Sequence, residues 1–417
     1  MFITKLSLGD LRCFESAEIS FAPTRTRASG TGNVTVLLGN NGFGKSTVLK
    51  AVALAALGPA LQNSGFVPYR LVRRTTTRAA RTATITGRFR LHWQDLGLPP
   101  RTATTRTLNL TTKVERRGDI EQVTSSRRTL PSLFEERSPA LFIVGYGATR
   151  RVEQSGYDAS SRAKQRMRRY ERVAGLFEDG VTLIPLRAWL PDLKASNPGR
   201  FRQAVRLLDE LLPEECTFGG RQVQRDYVFR VRGADVPFPA LSDGYKAYIA
   251  WIGDLLFNIC FGAPNGAKLT EFSGVVLVDE VDLHLHPEWQ RTVVPKLSAT
   301  LPKLQFIVTT HSPIVAGTLD SSRVVVLQEG ADGSVTARTG PEPILGRNAD
   351  QILVSSYFGL QTTRAQAAVT RLADLSRKAR RGERDAALAV LETMASGIES
   401  QRPAARTRSA RDTVPRS

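Results

Sequence analysis

The segment "VTVLLGNNGFGKSTVLKAVALAALG" (34–58) carries the strongest structural signal in this 417-residue chain. A short apolar run precedes a glycine-rich loop that fits the pattern G-x-x-x-x-G-K-[ST], and an apolar segment follows the loop. This order predicts a buried strand, a phosphate-binding loop and a helix that starts at Ser46 and ends at Gly58-Pro59. Glycines let the backbone N–H groups point inward at phosphate oxygens, and the helix N-terminus adds partial positive charge.

The loop therefore predicts binding of ATP with Mg²⁺. Lys45 would reach the β- and γ-phosphates, and the Ser46 hydroxyl would ligate Mg²⁺. The candidate phosphate-binding residues are Gly39, Asn40, Asn41, Gly42, Phe43, Gly44, Lys45, Ser46 and Thr47.

A second apolar run ends in two adjacent carboxylates, in "VVLVDEVDLHLHPEW" (275–289). Adjacent residues point to opposite sides of a strand, so Asp279 can hold Mg²⁺ while Glu280 serves as the general base for the attacking water. His284 and His286 leave a zinc or manganese site open as an alternative. They equally suit packing and hydrogen bonding in the turn before a helix that has Pro287 in its first turn.

Two shorter motifs complete the pattern. In "LSDGYK" (241–246), Ser242 and the Gly244 amide at a helix N-terminus form a second anion cradle. One P-loop already surrounds one side of ATP, so this second cradle makes sense on an opposite subunit. In "VTTHSP" (308–313), His311 follows a buried strand, where its imidazole can touch the γ-phosphate.

Composition is that of a soluble globular protein, with 41% hydrophobic and 23% charged residues. No apolar stretch is long enough to span a membrane, and the N-terminus lacks the pattern of a secretion signal. Cys13, Cys216 and Cys260 are too far apart for a CxxC metal site or a disulfide framework. We expect a cytoplasmic protein without a membrane partner.

The net charge of +19 is concentrated in residues 61–172, where basic residues outnumber acidic ones by more than two to one. Such a concentration favours binding to nucleic acid, since each neutralised phosphate releases counterions. The alternative is a coding bias toward arginine and alanine. The candidate nucleic-acid contacts, in the run "SRAKQRMRRYER" (161–172), are Arg162, Lys164, Arg166, Arg168, Arg169 and Arg172.

The remaining patterns outline an α/β domain. Residues 2–21 predict a hairpin, residues 81–114 predict antiparallel strands, and the apolar runs around 275 and 305 predict a parallel β-α-β unit. We expect an ATPase domain over 1–340, with a basic β/helical insert and helical lobe at 61–240. A helical extension is expected over 341–400, followed by a disordered tail at 401–417.

The motifs in this order resemble the ABC-type ATPases, and more narrowly their SMC/RecF/OLD-like branch. The opening "ITKLSLGDLRCFESAEISF", the "GNNGFGKST" loop, "LSDGYK" and "FIVTTHSP" carry this resemblance over roughly residues 1–330. The segment "DEVDLHLHPEWQR" with "QFIVTTHSPIV" is similar to stand-alone anti-phage defence ATPases, such as the PtuA subunit of Septu systems and retron-associated ATPases.

The resemblance implies a P-loop NTPase head with a mixed core sheet flanked by helices, an antiparallel β subdomain, a helical lobe and a C-terminal helical extension. It also implies a homodimer, or a higher even-numbered oligomer, that closes head to tail around two ATP molecules. Arg12 matches an arginine of the family's opening element and would touch nucleotide. The implied dimer-interface residues are Ser242, Asp243, Gly244 and Asp282.

Two features depart from the family pattern. Asp243 replaces the usual signature glycine, and the Q-loop glutamine is unassigned. Gln94 is a candidate for that glutamine by strand position, while "GYGATR" (145–150) resembles a motif of the defence ATPases.

The leading interpretation is an ATP-hydrolysing sensor or clamp in prokaryotic anti-phage defence. We expect no nuclease domain in this chain, because no Glu plus DxD pattern follows His311, so a separate effector such as an HNH nuclease would cut nucleic acid. The alternatives are a RecF-like DNA repair ATPase, the ATPase subunit of a membrane transporter, and a nucleotide-binding scaffold with negligible turnover.

Overall fold

The computed structural model describes residues 1–21, 31–62, 64–75, 79–92, 105–125, 133–134, 140–152, 168–330 and 333–399. Fifteen strands lie in these ranges. In chain order they are β1 (Phe2–Leu11), β2 (Phe14–Ser20), β3 (Val34–Leu38), β4 (Thr82–Leu91), β5 (Arg106–Arg117), β6 (Ile120–Ser125), β7 (Ile143–Tyr146), β8 (Cys216–Thr217), β9 (Gln222–Val223), β10 (Asp226–Val231), β11 (Ala234–Pro237), β12 (Gly274–Val278), β13 (Leu304–Thr309), β14 (Val324–Glu329) and β15 (Val335–Thr339).

The described α-helices vary from one turn to five turns in length. They are α1 (Lys45–Leu61), α2 (Arg168–Glu171), α3 (Leu190–Ser196), α4 (Pro198–Leu211), α5 (Asp243–Gly262), α6 (Pro287–Thr300), α7 (Pro313–Ala316), α8 (Ala349–Leu353), α9 (Gln366–Arg380) and α10 (Arg384–Glu399). None of these helices is both long and apolar enough to cross a membrane.

A six-stranded mixed sheet forms the centre, with strand order β15-β14-β3-β13-β12-β7. All neighbouring pairs are parallel except β14 and β15. The parallel strands are buried on both faces, which explains why their sequences are continuous apolar runs without alternation. Their carboxyl ends meet at one edge, and this edge gathers the segments that follow β3, β7, β12 and β13.

A second, antiparallel sheet covers one face of this core, with strand order β2-β1-β4-β5-β6. Helix α1 is apolar on all sides because it is packed in the interior, and apart from Lys50 its residues 48–57 are fully buried. The Thr112 hydroxyl of β5 donates to the Leu54 carbonyl at 2.8 Å. The core of this side therefore fixes the helix that follows the P-loop.

Helices α3 to α6 and a small sheet cover the other face of the core. The small sheet has the order β11-β10-β8, with β9 also paired to β10. Trp251 of α5 is among the largest side chains buried there. Arg200 of α4 donates to the Cys260 carbonyl at 2.8 Å and so satisfies one of the terminal carbonyls of α5.

The fold class predicted from the sequence is confirmed, as are the hairpin, the parallel β12-α6-β13 unit and the antiparallel strands β4 and β5. The predicted end of α1 at Gly58-Pro59 is wrong, because the helix continues to Leu61. Gly58 permits this continuation: a Cβ there would lie 1.9 Å from the Thr112 hydroxyl oxygen, so only glycine lets the helix pass β5 so closely.

The chain divides into two compact units, Met1–Gly359 and Leu360–Ser417. The first unit extends past the predicted boundary at 340, because Ile344, Ile352 and Tyr357 are buried in its core. In the described part of the second unit, α9 and α10 pack against each other. The tail predicted to be disordered, 401–417, lies outside the described residues.

Candidate nucleotide-binding site

The P-loop connects β3 to α1 in a conformation that requires glycine. Gly39, Gly42 and Gly44 have φ angles of 145°, 87° and 82°. A Cβ at Gly44 would lie 2.5 Å from the Cys13 sulfur, and one at Gly39 would lie 2.7 Å from the Leu327 carbonyl oxygen, whereas Gly42 faces open space. Gly39 and Gly44 thus allow the loop to pack closely against the core, and Gly42 leaves the outer side of the loop open.

Lys45 is held across this loop by the backbone. Its Nζ donates to the Gly39 carbonyl at 2.7 Å and to the Asn40 carbonyl at 3.2 Å. Burial lowers the pKa of Lys45, and the nearby charges of Asp279 and Glu280 act in the opposite direction. The lysine and the two carboxylates, predicted from separate motifs, therefore lie in one electrostatic neighbourhood.

Thr309, the last residue of β13, fixes Asp279. The Thr309 hydroxyl donates to Asp279 Oδ1 at 2.6 Å, and the Asp279 N–H donates to the Tyr146 carbonyl at 2.8 Å. Asp279 is buried, and its Oδ2 accepts no hydrogen bond from the residues that the structure describes. One carboxylate oxygen is thus anchored and the other is available for a ligand.

Glu280 has a left-handed backbone, with a φ of 50° that is unusual for a residue other than glycine. Its N–H donates to the Thr309 hydroxyl oxygen at 2.7 Å, and its carbonyl accepts from the Leu283 N–H at 3.0 Å and from Arg150 Nη2. Such strain persists where the surroundings over-determine it, and it is frequent at functional sites. The chain thus leaves the course of β12 at Glu280, whose side chain is half-buried.

Arg150, at the end of "GYGATR", lies beside the carboxylates. Burial lowers the pKa of Arg150 to about 10, and Asp279, Asp282 and Glu280 act to raise it. The guanidinium is therefore charged at neutral pH. Its carbon lies 5.2 Å from the ring centroid of Trp251, in helix α5.

The segment after Glu280 is tied to the end of β13. The Thr310 hydroxyl donates to Asp282 Oδ1. His311 follows Thr310 with an exposed side chain at the same sheet edge, so its predicted contact with a γ-phosphate stays a prediction.

The two other histidines of the motif occupy the turn before α6. His284 and His286 are exposed, and His286 Nδ1 accepts from the Glu288 N–H at 3.4 Å. Within the described ranges, no group of three His, Cys, Asp or Glu side chains is placed to hold a metal ion.

The signature turn opens α5, with Ser242 at the N-cap position. Ser242 and Asp243 are exposed, and the Ser242 side chain makes no capping hydrogen bond. Asp243 is instead paired with Lys246 at 2.9 Å. A Cβ at Gly244 would lie 3.3 Å from the His284 carbonyl oxygen, so this turn packs on the segment after Glu280 in the same chain.

The next residue after the turn, Tyr245, is anchored by a shared carboxylate. The Tyr245 hydroxyl and the Trp289 indole N–H donate to Glu215 Oε1 at 2.8 and 3.0 Å. Burial alone would raise the pKa of Glu215, but the hydrogen bonds outweigh it and the pKa is lowered. The start of α5 is therefore fastened to the start of α6.

Arg12 lies in the turn between β1 and β2, next to the P-loop. Its neighbour Cys13 provides the sulfur that a Cβ at Gly44 would meet. Burial lowers the pKa of Arg12, and its Nε has no hydrogen-bond partner among the described residues. Its contact with nucleotide stays a prediction.

Within its described ranges, the structure does not place the candidate nucleic-acid residues together at an exposed site. Arg162, Lys164 and Arg166 lie outside the described residues, as do Gln94 and the side chain of Arg168. The prediction for Arg169 is wrong for this conformation, because its side chain is buried at 4% exposure and cannot contact a phosphate chain. Arg172 is half-buried, with its guanidinium 4.9 Å from the Phe142 ring.

Two residues of the site were missed by the sequence reasoning, Thr309 and Arg150. Thr309 lies in "FIVTTHSP" and Arg150 ends "GYGATR", but nothing local shows that a threonine or arginine at a strand end contacts carboxylates far away in the sequence. A charged residue closing "GYGATR" after an apolar strand was the available signal for Arg150.

Comparison with known proteins gives two family matches. The model described as "AAA domain, putative AbiEii toxin, Type IV TA system" matches residues 108–316, and one described as "AAA domain" matches residues 5–133. These two matches together include the P-loop, the signature turn, the carboxylate pair and His311.

Among curated relatives, the Septu protein PtuA of Bacillus mycoides (strain KBAB4) is 25% identical over 364 residues, 87% of this chain and 45% of that protein. The Retron Ec83 probable ATPase of Escherichia coli is 44% identical over 90 residues, 22% of this chain and 17% of that protein. The chain thus spans less than half of the length of either relative. A solved SMC head bound to the C-winged helix domain of ScpA is 16% identical, covers 81% of this chain and 97% of its own, and has a TM-score of 0.48.

Proposed function

The chain belongs to the AAA-domain ATPase family whose model matches residues 108–316, and from this premise we propose that it hydrolyses ATP as a dimeric, nucleotide-controlled switch in anti-phage defence. The observation that carries the proposal is the grouping of Lys45, Asp279 and Glu280 at one edge of the core sheet. Each residue meets a different requirement of ATP hydrolysis. Lys45 is a cation for the phosphates, Asp279 is a carboxylate for Mg²⁺, and Glu280 is a base for the attacking water.

The residues of the site fit ATP and Mg²⁺. The N-cap residue of α1 is Gly44, which has no side chain to cap the helix, and Gly42 opens on free space, so the loop can receive phosphate oxygens. Asp279, with one oxygen anchored by Thr309, and Ser46 in the first turn of α1 would hold the ion. When bound, Mg²⁺ supplies neutralisation of the charge on the phosphate oxygens.

The protein groups then divide the work. Lys45 exchanges its two backbone carbonyls for phosphate oxygens, which are better partners for an ammonium group. Glu280 accepts the proton of the attacking water, and the hydrogen bonds on both sides of its backbone keep the carboxylate aimed. His311 at the end of the neighbouring strand donates a hydrogen bond at the γ-phosphate.

The signature turn supports a shared site between two chains. Ser242 is an exposed N-cap whose side chain makes no capping hydrogen bond, and within the described residues it makes no hydrogen bond to the P-loop of its own chain. In a head-to-tail pair it would face the P-loop of the partner copy, with Asp243, Gly244 and Asp282 at the interface. The tie from Asp282 to Thr310 would link that interface to the segment that carries His311.

The defence role rests on the relatives, a Septu protein and a retron-associated ATPase. We infer that this chain senses a signal through its ATP cycle and acts with a separate effector, such as an HNH-type nuclease. Contact with nucleic acid would use exposed basic residues, for which Arg88 and Arg90 on β4 and Lys113 on β5 are available in the described part of the antiparallel sheet.

The test is the substitution Glu280→Gln, which keeps the shape of the side chain but removes the base. We expect this variant to bind ATP, to stop turnover and to accumulate as an ATP-bound dimer in size-exclusion chromatography with light scattering. Glu271→Gln is the matched control, because Glu271 is exposed before the opposite end of β12. The proposal fails if Glu280→Gln turns over ATP at the wild-type rate, or if ATP never changes the mass of the particle.

A further inference from the structure

The segment 145–150 connects the carboxylate strand to the signature helix α5. On one side, the Tyr146 carbonyl accepts from the Asp279 N–H at 2.8 Å, and Arg150 donates to the Glu280 carbonyl. On the other side, the Tyr146 hydroxyl donates to Asp254 of α5 at 2.8 Å, and Arg150 lies against the ring of Trp251. The segment therefore touches both elements at two points each.

Arg150 contacts Glu280, which is one of two residues with a left-handed backbone between β12 and α6; the other is His284. Glu280 is gripped by Thr309 on its N–H side and by Arg150 and Leu283 on its carbonyl side. A left-handed backbone is unfavourable for a residue other than glycine, and it persists only where the surrounding contacts enforce it. Loss of the Arg150 contact would thus let the Glu280 backbone relax and turn the carboxylate away from its working direction.

Trp251 makes Arg150 sensitive to the position of α5. The indole is almost fully buried, at 1% exposure, two turns into the helix that Ser242 opens. Because Trp251 and the signature turn belong to the same continuous helix, a shift of the N-terminus of α5 also moves Trp251. The Arg150 side chain also lines two cavities of about 380 and 580 Å³, which leave its guanidinium room to follow.

We propose that Arg150 is a positioning residue that reports the position of the signature helix to Glu280. When the signature turn closes on nucleotide, Trp251 presses the guanidinium onto the Glu280 carbonyl and sets the base for proton transfer. When the signature turn is open, the hydrogen bond from Arg150 to the Glu280 carbonyl weakens and hydrolysis stops. This inference rests on the proposed function, since it assigns a regulator to the same site.

The experiment compares Arg150→Ala and Arg150→Lys with Arg151→Ala in the full-length protein. Arg151 is the matched control, because it is the next residue and its side chain is exposed. Steady-state kinetics give kcat and KM, a fluorescent ATP analogue gives the dissociation constant, and melting curves report folding. The same substitutions in a Glu280→Gln background report ATP-dependent dimer formation.

For Arg150→Ala we expect kcat to fall by about 100-fold, the usual cost of misplacing a catalytic group by an ångström. The dissociation constant for ATP and the trapped dimer should change little, because within the described residues no hydrogen bond joins Arg150 to the P-loop or to the signature turn. Arg150→Lys keeps the charge but cannot both stack on Trp251 and reach the Glu280 carbonyl, so kcat should recover only in part. Arg151→Ala should match the wild type.

Two results would overturn the assignment. One is an Arg150→Lys or Arg150→Ala variant with wild-type kcat, and the other is a variant whose ATP affinity, melting temperature and kcat decline together, which would indicate a purely structural role. If Arg150→Ala does not fold, Arg150→Lys decides alone. Absence of turnover in the wild type is a different outcome, since it removes the proposed function itself and this inference with it.

Discussion

Thr309 provides the sharpest way to perturb the candidate site without touching a group proposed to contact nucleotide. Its side chain is fully buried, and its hydroxyl serves both carboxylate residues at once. It donates to Asp279 Oδ1 at 2.6 Å and accepts from the Glu280 N–H at 2.7 Å. Thr309→Val removes both hydrogen bonds while preserving the shape of the side chain.

The expected loss of stability in Thr309→Val follows from these two hydrogen bonds. A hydrogen bond to an ionised carboxylate contributes about 1.5–3 kcal/mol, and a buried N–H without a partner costs about 1–3 kcal/mol. The two losses overlap, because both groups can shift toward other partners, so we expect a net loss of about 2–4 kcal/mol. At about 2 °C per kcal/mol for a large domain, the melting temperature should fall by roughly 4–8 °C.

The assay combines thermal melting with steady-state ATP hydrolysis. Thr309→Ser is the control, since it keeps the hydroxyl and loses only a methyl group, at a cost of about 1 kcal/mol. Turnover should drop by about 10- to 100-fold in the valine variant, as both carboxylates lose their alignment, and only slightly in the serine variant. If valine and serine at position 309 melt and turn over alike, the hydroxyl does not hold the carboxylates and this account of the site is refuted.

Two further predictions follow from particular contacts. Gly44→Ala and Gly42→Ala both place alanine at a φ above 80°, a strain of about 1–2 kcal/mol, but only the Cβ at Gly44 meets another atom, the Cys13 sulfur at 2.5 Å. Without nucleotide, Gly44→Ala should therefore melt at a lower temperature than Gly42→Ala, and equal melting temperatures would contradict the loop geometry. Hydrogen bonds from Ser356, and then from Arg347, lower the pKa of Glu342 from 4.5 to about 2. Its contribution of at most about 1 kcal/mol is complete above pH 4.5 and disappears as the pH falls toward 2. Glu342→Gln should accordingly melt below the wild type at pH 6, with a gap that narrows at pH 3; a gap independent of pH would contradict this assignment.

The fold was largely readable from the sequence, because its strongest signals are local. The strand and loop at 34–44 and the apolar strands before Asp279 and His311 predict a parallel core from composition and spacing alone. The small sheet β8–β11 is not predicted from the sequence, because two of its strands have only two residues each, too few to show alternation. The position at which α1 ends is not predicted from the sequence, because it depends on the close approach of Gly58 to Thr112, a long-range contact.

The candidate site shows the same division between local and distant information. The motifs identify Lys45, Asp279 and Glu280, since the chemistry of ATP demands those residue types at strand ends. The groups that hold them in place come from elsewhere: Arg150 lies 130 residues before Glu280, and Thr309 lies 30 residues after Asp279. No periodicity connects such positions, so only the three-dimensional structure identifies the residues that support the base.

We propose that each ATP site is built from two copies of this chain. The decisive experiment mixes two inactive variants, Lys45→Ala and Ser242→Arg, and measures ATP hydrolysis after the subunits exchange. A mixed pair would contain one complete site, with the P-loop of one copy and the signature turn of the other. Random exchange in a two-fold dimer should restore up to about a quarter of the wild-type rate. A Ser242→Arg protein that is fully active by itself, or a mixture that stays as inactive as its components, would contradict the account.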